Sequence, residues 1–429
     1  MMMTILKTRD LPQVPSPVRS AAKGVTSVMR HPAWTELTAP VRTPIAWYIG
    51  AWIRRIRPSR HGQQPPTRPS FMLAAQAALD ETVLTVARLA HRVPGDHELA
   101  RVEDEAIVAI EMFQERGWLD DPASYHDVPP PLTDVALRKA RSGTIRYTVM
   151  SFDSGYAPHE GEPGRERWLA DRENQTAYVW MLRHPEPRPW IICVHGAAMG
   201  QAGSDLRVFR AAWLHKVLGL NVALPIQPRH GPRRAGLPIG VGFPNHDLMD
   251  TVHAVTQSVW DIRQLIGWIR ATQGTNNIAV QGLSLGGYTA ALLAGIEPDL
   301  SCVILGVPVV DFAALMERHA GPSLRGDVRI ERLTELASQL HRVISPLEIE
   351  PQISHDRRFI YAGLADQIIH PVHQIRAIAR HWEEPDVHWF SGSHIGFFVS
   401  RPVHEFLERA LRSSNMLPPA AADDDQAVA

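Results

Sequence analysis

The stretch NIAVQGLSLGGYTAALLAG, residues 277–295, sets a serine at a corner. An apolar run of strand length ends near Gln281, and a small-residue segment of helical character begins near Leu285. Ser284 stands at the junction, with Gly282 two residues before it, Gly286 two after it and Gly287 next. Glycines there either make a tight turn or clear space around the hydroxyl. A G-x-S-x-G pattern between a strand and a helix favours the second, because only small neighbours tolerate the strained turn that lifts a serine above a sheet edge. The pentapeptide alone is a weak signal, since small-residue turns are common. Its setting gives it weight.

That setting extends over most of the chain. From about residue 140, TIRYTVMSFDS and AYVWMLRHP carry β-branched and aromatic residues and predict an antiparallel start to a sheet. WIICVHG, NVALPIQ, NIAVQG, CVILGVP, RFIYAG and DVHWFSG are then strand-length apolar runs that alternate with helical stretches. In residues 247–272, Leu248, Val252, Val255, Val259, Ile262, Ile266 and Ile269 recur on one helical stripe. Such alternation predicts an α/β protein with a mostly parallel sheet covered by helices on both faces. The alternation stops after Asp311, so residues 312–356 are expected to form a small helical cap insertion over a site at the strand ends.

A serine hydroxyl is a poor nucleophile until a base takes its proton, and the base needs a carboxylate to fix its tautomer. His394, in HWFSGSHIGFF, follows the last strand-like run and is flanked by Gly392, Ser393 and Gly396. Its loop position distinguishes it among 21 histidines. Asp366, in RFIYAGLADQIIHP, follows the preceding strand in a loop opened by Gly363. Asp311, one strand earlier in GVPVVDF, is the rival, although a helix N-cap role would suffice for it. The preferred reading is Ser284 as nucleophile, Asp366 as acid and His394 as base.

In that chain order, residues from about 140 to 412 resemble the α/β-hydrolase superfamily. CVHGAAMG, residues 193–200, resembles its His-Gly oxyanion loop, which implies that the amides of Ala197 and Leu285 face the developing oxyanion. The loop lacks the three-glycine run of many lipases and esterases, which removes one reason to assign the chain to them. FDSGYAPHEGEPG, RHPEPRPW and GLSLGGY together resemble a group of high-GC bacterial hydrolases of unassigned substrate. The resemblance implies a serine hydrolase that cleaves a carboxylic ester or related acyl bond of a small molecule through an acyl-enzyme. Peptidase, thioesterase and acyltransferase chemistry share the same triad. A non-catalytic interaction protein is the alternative of another class, with the N-terminal helices as its partner surface.

Other signals are weaker. His195, with Arg229 and His230 in QPRHGPRR (residues 227–234), is a candidate substrate-binding residue, and Arg233 and Arg234 add positive charge for a carboxylate or phosphate. A solvated basic loop is the simpler reading. In HDLMDTVH, His246 and His253 are two helical turns apart, too far to hold one ion, and read as helix-surface residues. His370 and His373 in HPVH are too weakly placed for zinc. No phosphate-binding loop, dinucleotide fingerprint or Cys/His cluster occurs, so no metal and no cofactor is implied.

Composition bounds the rest. A chain of 429 residues, 45% hydrophobic, can bury a full α/β core and leave sequence over. A net charge of −1 provides no field to recruit nucleic acid. Only Lys7, Lys23, Lys139 and Lys216 among the 44 basic residues are lysines, which fits high-GC coding bias. Cys193 and Cys302 both lie in apolar runs and form no disulfide framework. With neither a signal-peptide stretch nor a membrane-spanning run of ~18 apolar residues, a cytoplasmic protein is expected.

Residues 1–70 are expected to be a largely irregular Pro/Arg-rich segment, apart from an amphipathic helix at 44–57. That helix, in PIAWYIGAWIRRIRPSR, is suited to peripheral contact with a membrane interface, or to packing on the protein's own body. Residues 71–138 form an N-terminal helical segment. One predicted apolar stripe is Leu79, Val83, Val86 and Leu89, and a second is Leu99, Val102, Ala106, Ile110 and Phe113. DVPPPLTD, residues 127–134, reads as a linker to a hydrolase domain at 139–412, followed by a disordered tail at 413–429. The sequence leaves the oligomeric state open.

Overall fold

The computed structural model describes residues 32–56, 65, 67–90, 94–239, 242–319 and 326–418. The first thirty residues, expected to be irregular, lie outside them, as do residues 419–429. Of the rest of the tail, expected to be disordered from 413, Ser413 ends a helix and Ser414, Met416 and Leu417 are buried. Three helices come first: α1 (Pro32–Ile56), α2 (Phe71–Ala90) and α3 (Asp96–Glu115). The body follows as β1 (Ala136–Ser142), β2 (Ile145–Asp153), α4 (Arg165–Leu169), β3 (Thr176–Leu182) and β4 (Trp190–Val194). Next come α5 (Ala202–Val208), α6 (Ala211–Lys216), β5 (Asn221–Pro225), α7 (Leu248–Gln273) and β6 (Ile278–Leu283). After them are α8 (Leu285–Ile296), β7 (Cys302–Gly306), α9 (Phe312–His319) and α10 (Val328–Leu340). The body closes with β8 (Arg358–Gly363), α11 (Arg376–His381), β9 (Asp386–Phe390) and α12 (Arg401–Ser413).

The nine strands make one sheet in the order β1-β2-β3-β5-β4-β6-β7-β8-β9. β1 pairs antiparallel with β2, and β3 pairs antiparallel with both β2 and β5. All pairings from β5 to β9 are parallel. This is the expected α/β-hydrolase sheet, with an antiparallel start and a parallel remainder. Strands β4 to β8 are buried at every position because both faces are covered, whereas β1 at the sheet edge is largely exposed. In β4, Trp190, Ile192 and Val194 join the core under α3, α7 and α8, whereas Ile191 and Cys193 join the core under α5, α6 and α12. Both cysteines are buried and free.

α7 explains its stripe, since Leu248, Val252, Val255, Val259, Ile262, Ile266 and Ile269 are all buried. α8 is buried at every position, which suits its run of Gly, Ala and Leu. Segment 312–356, expected as a cap, packs into the core. Leu333, Leu336, Ala337 and Leu340 of α10 are buried in the core shared with Leu99, Val102 and Phe113 of α3. Charged pairs link the same two helices, Arg332 to Glu103 at 3.1 Å and Arg329 to Asp96 at 2.6 Å. Arg101 of α3 also reaches Asp247, which caps α7.

α2 contradicts its predicted stripe. Leu79, Val83 and Val86 are exposed, and Leu73, Ala77, Asp80 and Leu84 are buried instead. α1 extends well beyond the expected 44–57 and leaves Ile45, Ile49, Trp52 and Ile53 exposed. Among the described residues no helix is long and apolar enough to cross a membrane.

Candidate active site

The corner at Ser284 is built by close backbone approach. A Cβ on Gly282 would collide with the carbonyl of Gly286, and one on Gly286 with the carbonyl oxygen of Val194. Ser284 itself has φ 53° and ψ −112°, a conformation that costs a non-glycine residue about 1–3 kcal/mol. Its surroundings hold it there. The Ser284 N–H donates to the Gly306 carbonyl at 2.9 Å, and the Ser284 carbonyl accepts from Gly287 at 2.9 Å and Val309 at 3.1 Å. The hydroxyl is thereby fixed above the carboxyl ends of the parallel strands, the edge where open α/β sheets bind ligands.

Two loops at the same edge bring the remaining groups. The loop after β8 carries Asp366 and the loop after β9 carries His394. They are laced together, because Leu364 N–H donates to the Phe390 carbonyl at 3.0 Å and Ala365 N–H to Gly392 at 2.9 Å. His394 Nδ1 lies 2.8 Å from Asp366 Oδ2, and His394 Nε2 lies 3.1 Å from Ser284 Oγ. A carboxylate can only accept, so Nδ1–H donates to Asp366 and Nε2 is left to accept the serine proton. Asp366 Oδ1 meanwhile accepts from the amides of Ile368 at 2.9 Å and Ile369 at 2.7 Å. Asp366 is 6% and His394 8% exposed, so their charge interactions are little screened by water. Burial alone would lower the His394 pKa. The neighbouring Asp366, through its charge and its hydrogen bond, and Asp80 more weakly, raise it above the ordinary histidine value.

Asp311, the rival acid, makes no such contact. Its Oδ1 accepts from the Ala314 amide at 3.0 Å and caps α9, and its own amide donates to Gln374. The oxyanion candidates flank the serine. Gly196, just before Ala197, packs so closely that a Cβ on it would sit 3.4 Å from Ser284 Cβ. Leu285 opens α8, where helix amides have no intrahelical acceptor.

The three residues offered for substrate binding, His195, Arg229 and His230, each have partners within the protein. His195 is fully buried; its Nδ1–H donates to the Gly196 carbonyl at 2.8 Å and its Nε2 accepts from Gln227 N–H at 3.0 Å. It braces the 195–200 loop from behind. Arg229 lies over Trp168 and is paired with Asp250 at 2.6 Å and Asp171 at 3.3 Å. His230 is buried against His195, and Arg233 is buried against Asp261 at 2.8 Å. The 227–234 loop is therefore not a solvated loop, since Arg229 and Arg233 pair with carboxylates of the protein. His253 is likewise no surface residue, being fully buried and 3.0 Å from Glu162. His246 meets Glu98, and among the described residues no group of three or more side chains could hold a metal ion.

One contributor escaped the sequence reading. Asp80 of α2 is fully buried at the loop that carries His394. Conversely, a cleft of about 520 Å³ lined by Val128, Leu132, Arg263, Arg270 and Glu297 lies at the far end of α8 from Ser284. At 1.5 Å per residue that is roughly 18 Å away, too far to serve the serine.

No protein-family model matches the chain. Two Mycobacterium tuberculosis proteins, from strains CDC 1551 and H37Rv and both described as uncharacterized, are 45% identical over 371 residues. The match covers 86% of this chain and 89% of each of theirs. Among solved structures, acetyl xylan esterase 1 from Thermoanaerobacterium is 15% identical, covering 71% of this chain and 94% of that one with a TM-score of 0.47. An acetyl xylan esterase from Paenibacillus is 16% identical, covering 70% and 93%, with a TM-score of 0.48.

Proposed function

We propose, from the premise that this chain belongs to the family of those two mycobacterial proteins and has the α/β-hydrolase fold, that it is a serine hydrolase of carboxylic esters or related acyl bonds. The reading rests on one observation, the unbroken line of hydrogen bonds from Ser284 Oγ through His394 to Asp366. Ser284 Oγ attacks the acyl carbon while His394 Nε2 accepts its proton. Asp366 holds the ring by its Nδ1–H and stabilises the imidazolium that forms. The carbonyl oxygen takes up the electron pair and is met by the amides of Ala197 and Leu285; one such donor is worth roughly 3 kcal/mol in the transition state. As the tetrahedral intermediate collapses, His394 passes its proton to the leaving alcohol oxygen and an acyl-serine remains. A water then gives a proton to His394, attacks the acyl carbon and releases the acid, and Ser284 recovers its proton.

The test pairs covalent labelling with turnover. A fluorophosphonate should label the chain once, at Ser284, and Ser284→Ala should abolish both labelling and hydrolysis of short acyl esters. A folded wild-type protein that neither labels nor cleaves any ester of increasing chain length overturns the reading.

A further inference from the structure

The His394 loop is fastened by a helix that precedes the hydrolase body by some 45 residues, counting from Ala90 to Ala136. Asp80 Oδ2 accepts from the His394 amide at 2.8 Å and from the Gln367 amide at 3.2 Å. Asp80 Oδ1 accepts from the Ser393 hydroxyl at 2.9 Å and the Ile395 amide at 3.2 Å. One turn earlier on α2, Gln76 Oε1 accepts from the Ser393 amide at 3.1 Å. Three consecutive amides around the base and one beside the acid thus end on α2. A carboxylate with four donors is an expensive group to bury without need, and a helix that only covered the site would manage with an apolar residue there.

We propose that Asp80 is a positioning residue of the active site, locking the base loop to the acid loop and placing a second carboxylate beside His394. The inference rests on the serine-hydrolase reading above. Its electrostatic half has support of its own. Asp80 adds to the forces that raise the His394 pKa, after the larger effects of burial, which opposes them, and of Asp366. Reciprocally, burial and then Asp366 raise Asp80's own pKa, against a lowering by the His394 charge and amides. The other groups near this pair are Arg318 and His319 of α9, which donate to the Gln367 and Ile368 carbonyls, and Glu81 and Arg88 on α2, which pair with each other. His319 is held low by burial and so brings no competing charge near neutral pH.

Asp80→Asn keeps the shape, removes the charge and turns one acceptor into a donor facing donors. The expected result is a kcat lower by about tenfold or more with KM little changed, since the base is misplaced and not the substrate. The acid limb of kcat/KM should also move to lower pH, because loss of a negative charge lowers the His394 pKa. Asp80→Glu, which keeps the charge, should leave that limb near its wild-type position. A second, milder variant loosens the clamp with the charge in place. Gln76→Ala combined with Ser393→Ala should lower kcat without moving the acid limb, and it tests the clamp even if Asp80→Asn does not fold. Folded variants with wild-type kcat and an unmoved acid limb overturn the inference while leaving the hydrolase reading intact. A wild-type protein that never labels at Ser284 overturns that reading instead.

Discussion

Asp366 and Asp311 follow neighbouring parallel strands, yet only the Asp366 carboxylate meets the imidazole, while Asp311 caps α9. Asp366→Asn keeps the shape but favours the wrong ring tautomer, so kcat should drop by at least about 10²-fold with the fold retained. Asp311→Asn should cost stability on the order of 1 kcal/mol and leave kcat near wild type. Reversed outcomes would hand the acid role to Asp311. The His394 pKa sets a further expectation. It is raised above 6.5, so on acidification the neutral base is depleted earlier than for an ordinary histidine. The acid limb of kcat/KM should therefore have a midpoint above 6.5, and a flat profile from pH 5 to 8 would exclude a histidine base. What the sequence makes legible at this scale is whatever backbone contact imposes. Gly282 and Gly286 stand where a side chain would strike a carbonyl, and such spacing survives as a pattern. The roles of His195, Arg229 and His230 left no such trace. Residue type shows what a side chain offers, and only the fold shows which partner takes it, here Gly196, Asp250 and Pro228.

α2 gives the same lesson at the scale of an element. Its sequence holds two apolar stripes, and periodicity chose the wrong one because the inward face includes Asp80 and Glu81, which count against burial by type alone. Four hydrogen bonds from distant loops reverse that count, and no local pattern reports them. The outward face is left with Phe71, Met72, Leu79, Val83 and Val86, beside Ile45, Ile49, Trp52 and Ile53 of α1. Residues 32–70 carry six arginines, Arg42, Arg54, Arg55, Arg57, Arg60 and Arg68, against one acid, Glu36. An apolar face in a cationic segment matches the surface of an anionic bilayer, with about 1 kcal/mol per arginine near that surface. The full chain should co-sediment with phosphatidylglycerol vesicles more than with phosphatidylcholine vesicles, and high salt should weaken the binding. Trp52→Ser combined with Ile53→Ser should reduce it further. Equal partition to both vesicles, or self-association without them, would assign the face to another occupant.

Over the whole molecule, acid acts on histidines that the fold keeps neutral. Burial pushes His126, His195, His319 and His341 down to about 4, and His230 to about 3. Each has one ring nitrogen on a backbone carbonyl, of Val343, Gly196, Ile368, Leu248 and Pro228 respectively, and that bond favours the charged ring but is outweighed by burial. Below 6.5 the unfolded chain binds protons that the folded chain refuses, so stability is intact above that value and is lost as pH falls towards 4. Each such histidine removes up to roughly 1.4 kcal/mol per pH unit. Asp205 works the other way, since burial raises it to about 6 and the folded chain then binds the proton first. Asp80, Asp171 and Asp261 are raised in the same direction, chiefly by burial, and the five strongly lowered histidines outnumber these four carboxylates. The thermal midpoint should therefore fall by several degrees between pH 7 and pH 5, because each kcal/mol moves a chain of this size by roughly 1 °C. His394 is shifted in the opposite direction, so its protonation comes first. On gradual acidification, ester hydrolysis should fade while near-ultraviolet circular dichroism still reports a native core, and full activity should return on neutralisation. Loss of both signals at a single pH would mean that unfolding, and not protonation of His394, sets the acid limit of this protein.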